Sequence, residues 1–84
     1  VKHLASPRFW LLYQSLPPDV RSLADKNFDL LKRDPRHPSL RFKRIGGLWS
    51  VRVGMHYRAL GATVADGVLW FWIGTHADYD RVVR

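Results

Sequence analysis

Along this chain the apolar positions recur first every three to four residues and then, past Pro38, every second residue. Ser6-Pro7 reads as a helix start, an N-cap followed by a proline whose missing N–H forfeits no hydrogen bond there. Phe9, Leu12, Tyr13 and Leu16 then fall on one side of that helix, and Pro17 disfavours a helical backbone at Leu16. Pro18 opens a second helix, with Asp19 favourable to its positive N-terminal dipole. Val20, Leu23, Ala24, Phe28, Leu30 and Leu31 form its apolar stripe, and Arg21, Ser22, Asp25, Lys26 and Asp29 its wet side. Lys32 and Arg33 suit its end, and Asp34-Pro35 closes it. So short a connection predicts an antiparallel helical hairpin.

The alternation that follows predicts strands. Leu40-Arg41-Phe42-Lys43 reads as the first, and Gly46-Gly47 as a turn. Trp49, Val51 and Val53 should face one side of the next strand, with Leu48, Ser50 and Arg52 on the other. Gly54-Met55 interrupts the pattern, which His56–Leu60 resumes, and Asp66-Gly67 signals a hairpin turn between Val64 and Val68. Val68–Ile73, apolar on both faces, is expected to be the most buried, central strand. Thr75 is placed to cap a short helix running from His76 toward Arg84. The expectation is one α+β domain over residues 1–84: an N-terminal antiparallel helical hairpin packed on a three- to four-stranded antiparallel sheet, with a short C-terminal helical turn. Trp49, Trp70 and Trp72, at strand spacing among other apolar residues, read as core.

Composition narrows the class. In 84 residues, 46% hydrophobic and 13% aromatic content is too rich for a disordered charged tail. The longest apolar run, Val68–Ile73, is strand length, so no membrane-spanning helix is expected. The start, Val1-Lys2-His3-Leu4, has no signal-peptide core, and a chain without an initiating Met is expected to be processed or truncated. With no Cys there are no disulfides, and a cytoplasmic protein that stands on its core alone is the plain reading. Charge changes the picture most. Fourteen Lys and Arg against seven acids, all Asp, give +7, and from Lys32 to Arg58 eight basic residues face one acid, Asp34. Such a stripe attracts a polyanion, because phosphate contacts release condensed counterions; an acidic protein would satisfy it too.

Nucleotide-cradling glycine loops and the hydrolase nucleophile elbow are absent. His3, His37, His56 and His76 never stand three or four residues apart, so no metal or other cofactor is expected. A basic and imidazole cluster on the sheet remains. Arg52 and Ser50 share one strand face, His56 and Arg58 share a face of the next, and His76 follows the last strand. Arginines could stabilise a phosphodiester's charge while a histidine moves protons.

The segment "DPRHPSLRFKRIGGLWSVRVGMHYRAL" and the ending "WFWIGTHADYD" resemble the RelE/ParE superfamily of bacterial toxins across nearly the whole chain. The resemblance implies a cognate antitoxin as partner. It implies one of three functions: a RelE-like toxin that cleaves mRNA on the ribosome, a ParE-like inhibitor of DNA gyrase that is no nuclease, or a degenerate binder of antitoxin or nucleic acid. In the first case, attack by the ribose 2′-hydroxyl would need no metal. Arg58 in "YRAL" matches the family's phosphate-stabilising arginine, Arg52 a basic position on the preceding strand, and His76 the place of a nuclease Arg or His. Ser50 falls where RelE has a lysine and Val82 where it has a tyrosine, with Tyr79 nearby at another spacing. The catalytic set so implied is His76, Arg58, Arg52 and Tyr79, with Arg41, Lys43, Arg44, Ser50 and His56 as RNA contacts.

Overall fold

The computed structural model describes residues 2–83. Its elements are β1 (Lys2–Ala5), α1 (Pro7–Gln14), α2 (Pro18–Arg33), a 3-10 turn (Pro38–Leu40), β2 (Lys43–Ile45), β3 (Leu48–Val53), β4 (Tyr57–Val64), β5 (Gly67–Thr75) and α3 (His76–Val82). The strands form one five-stranded sheet in the order β1-β5-β4-β3-β2. It is mixed: β1 runs parallel to β5, and the other neighbours are antiparallel. No helix among the described residues is long and apolar enough to cross a membrane.

The helix boundaries follow local chemistry. The Ser6 hydroxyl accepts the Phe9 amide at 3.2 Å, and Thr75 caps α3 through the Asp78 amide at the same distance. Tyr13 on α1 donates to Asp25 on α2 at 2.6 Å, which holds its phenol proton and raises its pKa. The α1–α2 hairpin covers one face of the sheet, where Leu16, Val20, Leu31, Leu40, Val51, Val53, Ala59, Val68, Trp70 and Ile73 form the main core. A smaller core of Leu60, Trp72 and Tyr79 lies on the other face, under α3.

Three features depart from the expectation. The sheet gains β1, a parallel edge strand held by the ladder to β5 and by bonds from the Lys2 amide to Asp66 and the Ser6 amide to Trp70. The first antiparallel strand is shorter than Leu40–Lys43 suggests. Leu40 closes the 3-10 turn and is fully buried, Arg41 turns left-handed at φ 45°, and the strand begins only at Lys43. Leu40 and Phe42 alternate with Arg41 because Leu40 enters the core and Phe42 stacks on Trp49. Finally, Val64 pairs with Gly67, so Ala65-Asp66 forms the last hairpin loop and Gly67 already belongs to β5. Gly67 serves a different need: any Cβ there would run into the backbone of Lys2 in β1.

A register shift between Leu60 and Gly61 turns β5 over part-way. Trp70 faces the hairpin opposite Gly61, whereas Phe71 and Trp72 both pack toward the smaller core. Thus β5 is buried on both faces as expected, and it lies one strand in from the edge, with β4 in the middle.

Candidate functional site

The face under α3 carries Lys43, Arg52 and Arg58. Ladder register puts Arg52 directly opposite Arg58, Ser50 opposite both Lys43 and Leu60, and Arg58 opposite Gly74. Directly opposed like charges destabilise a sheet, so an Arg–Arg rung is a local cost that an anion between them would remove. Gly74 gives Arg58 no side chain to lean on in β5. The guanidinium lies instead over the ring of Tyr79, 5.5 Å from its centroid. Its Nε and Nη1 are buried without a hydrogen-bond partner, each an unmade bond worth about 1–3 kcal/mol in a dry site.

Tyr79 is the hinge of the arrangement. Its ring is buried against Leu60 and Trp72 and carries Arg58 on one side, while the His76 ring stands 5.8 Å away. The first turn of α3 is fixed to the sheet by the His76 amide, which donates to the His56 carbonyl at 2.7 Å. The His76 imidazole is half-exposed, with Nδ1 3.4 Å from an Asp80 carboxylate oxygen. A carboxylate facing Nδ1 favours the tautomer that leaves Nε2 free to take a proton. Asp80 was not among the residues the sequence singled out. Its spacing of four from His76 on a helix is the signal that would have found it.

Arg52 reaches back to its own turn. Nε donates to the Gly54 carbonyl at 2.9 Å and Nη2 to the Met55 sulfur at 3.2 Å. His76, Arg58, Arg52 and Tyr79 are therefore brought together, with Tyr79 as a buried platform. The wider set divides. Lys43 shares this face, at the edge of the sheet. Arg44 points to the other face, its guanidinium 5.0 Å over Trp49, and Arg41 sits in the loop before β2. His56 does not share a strand face with Arg58; it lies exposed in the β3–β4 turn and contributes its carbonyl. Ser50 is a correction: its side chain is fully buried and its Oγ unpartnered, so it cannot touch RNA from this position.

A concavity lies on the opposite face, between the hairpin and the sheet. It encloses about 330 Å³ and is apolar, with Leu31, Val53 and Trp70 in its floor and Phe9, Trp10 and Phe28 at its sides. Trp10, Leu11 and Phe28 remain exposed around the hairpin.

A helical hairpin packed on an antiparallel meander is an arrangement that known proteins share. The family description "ParE-like toxin domain" matches residues 18–81. The chain belongs to this family. Among solved structures, the RelB-RelE antitoxin–toxin complex of Methanococcus jannaschii aligns with 96% of this chain and 99% of its own, with TM-score 0.73 and 14% identity. The RelBE2 toxin–antitoxin complex of Mycobacterium tuberculosis covers 89% of this chain and 96% of its own, at TM-score 0.66 and 20% identity. The isolated Escherichia coli RelE toxin covers 95% and 93%, at TM-score 0.63 and 14% identity. At such identities the likeness is one of fold, and it confirms the α+β RelE/ParE architecture. No curated protein sequence matches the chain significantly.

Proposed function

We propose that this ParE-like domain is the toxin of a toxin–antitoxin pair and cleaves mRNA on the ribosome. The observation that carries the reading is the Arg58 guanidinium, buried in part, unpaired, opposite Arg52 and sharing the Tyr79 ring with His76. A phosphate on this face would neutralise the Arg58 guanidinium, whose Nε and Nη1 are enclosed by the protein, and would accept from the remaining nitrogen, Nη2. The ribose 2′-hydroxyl attacks its own 3′-phosphate, the bond to the 5′-oxygen breaks, and a 2′,3′-cyclic phosphate remains. Arg58 and Arg52 stabilise the added charge of the five-coordinate phosphorus. His76, oriented by Asp80, takes or returns the proton through Nε2. The ribosome supplies the alignment of the mRNA, which a domain this small lacks surface to provide. A ribosomal target places this action in the cytoplasm.

An antitoxin would cover the toxin in two ways. Its acidic residues suit the stripe of Lys43, Arg44 and Arg41, and an apolar segment suits the 330 Å³ groove beside Trp10 and Phe28. That two of the solved relatives are antitoxin complexes supports such a partner.

Inhibition of DNA gyrase without cleavage is the second reading. The burial of Tyr79 and the presence of Val82, rather than a tyrosine, further along α3 favour it. Primer extension on mRNA after brief induction separates the two. Discrete cuts inside translated codons, lost in His76→Ala, support the nuclease; arrest with intact mRNA and broken DNA supports the gyrase reading.

A further inference from the structure

We propose that Met55 is an oxidation site whose modification holds Arg52 at its turn and keeps it from an anion on the sheet face. Met55 is the only methionine of the chain and is 73% exposed, in the three-residue turn Gly54-Met55-His56 between β3 and β4. Its sulfur accepts Nη2 of Arg52 at 3.2 Å, while Nε of the same guanidinium is held by the Gly54 carbonyl. The turn therefore sets where the Arg52 charge stands relative to Arg58 across the ladder. A thioether is a weak acceptor, so a phosphate oxygen can take Nη2 from it at little cost. A sulfoxide oxygen is a far stronger acceptor, and it would keep that N–H at the turn.

The chemistry needs only a hydroperoxide. The sulfur lone pair attacks one peroxide oxygen, the O–O bond breaks, an S–O bond forms, and water leaves after proton transfer. The sulfur is oxidised by two electrons and the peroxide reduced by two. A methionine sulfoxide reductase reverses the change at the expense of a thiol. The side chain's exposure gives both reagents access.

The functional consequence rests on the anion-site reading above, and the experiment separates the two. Purified protein is treated with dilute hydrogen peroxide, mass spectrometry confirms one added oxygen at Met55, and binding of a short oligouridylate is measured. Affinity should fall about tenfold, the scale of losing one charge-assisted hydrogen bond, and return after reductase treatment. Met55→Leu, close in volume and without an acceptor, should not respond to peroxide. Met55→Gln, with a permanent amide oxygen, should match the oxidised protein untreated. In parallel, the side-chain Nε–H resonance of Arg52 should shift on oxidation and stay put in Met55→Leu. Unchanged oligouridylate affinity at full oxidation overturns the proposal, as does an unmoved Arg52 resonance. If Arg58→Ala binds the oligouridylate as well as wild type, the anion site is wrong. The Arg52 resonance still decides whether oxidation rearranges the turn.

Discussion

Replacing Arg58 by Met should make the protein more stable while abolishing its activity. Methionine keeps an unbranched stem over the Tyr79 ring and removes the guanidinium, whose Nε and Nη1 are buried without partners. At the low end of the range, fitting for a side chain still partly open to water, two such groups cost about 2 kcal/mol. Relief of the Arg52–Arg58 rung adds about 0.2–1 kcal/mol. Against this stands the cation–π contact with Tyr79, about 0.5–1 kcal/mol at a partly exposed site. The balance is a gain of about 1–2.5 kcal/mol, at roughly 4–8 °C in Tm for each kcal/mol in a domain of this size. Urea denaturation gives the answer directly: the midpoint should rise with the slope unchanged. Induction of the variant should leave growth and mRNA intact. A fall of 1 kcal/mol or more would mean that the guanidinium is a structural brace, and the anion-site argument would fail with it.

Other outcomes follow from the same geometry. His76→Ala should slow mRNA cleavage by about 10²–10⁴-fold in a single-turnover assay, and Asp80→Asn by less, since it orients the imidazole without replacing it. Trp70→Ala should cost about 3–5 kcal/mol by chemical denaturation, because Trp70 is packed between the hairpin and Gly61 in the main core. Burial, aided by nearby Lys32, lowers the pKa of His3, whose Nδ1 accepts the Trp70 indole N–H at 3.1 Å and must be neutral to do so. As pH falls through about 6.5 the unfolded chain binds that proton first, so stability present at neutral pH should be lost in acid. His3→Gln, whose amide oxygen can accept the same bond, should show a shallower urea-midpoint loss between about pH 7 and pH 5.

What the sequence by itself determined are the features decided within a few residues. The Ser6 and Thr75 caps, the Pro17-Pro18 break and the Gly46-Gly47 turn, with φ 53° and 88°, depend on side chains bonding or constraining their own backbone. The alternation over β3 was legible for the same reason, since period two needs only one apolar side, and Val51 and Val53 are buried there. The family resemblance also rested on such local segments, and with it came the placement of Arg58, Arg52 and His76. Tertiary structure alone decided the rest. β1 has too few residues to show a period, and its partner β5 is more than sixty positions away in sequence; Gly67, read as a turn glycine, was the trace it left. Leu40–Lys43 alternates like a strand, yet Leu40 belongs to a 3-10 turn because the core beneath it draws the side chain in. Ser50 looked like a surface residue among basic neighbours until Leu60, Trp72 and Tyr79 built a second core on its face. The lone guanidinium of Arg58 is likewise a property of three elements at once. Only the folded sheet can place it opposite Arg52, above Tyr79 and out of reach of any carboxylate among the described residues, and that imbalance of charge is what an anionic ligand would satisfy.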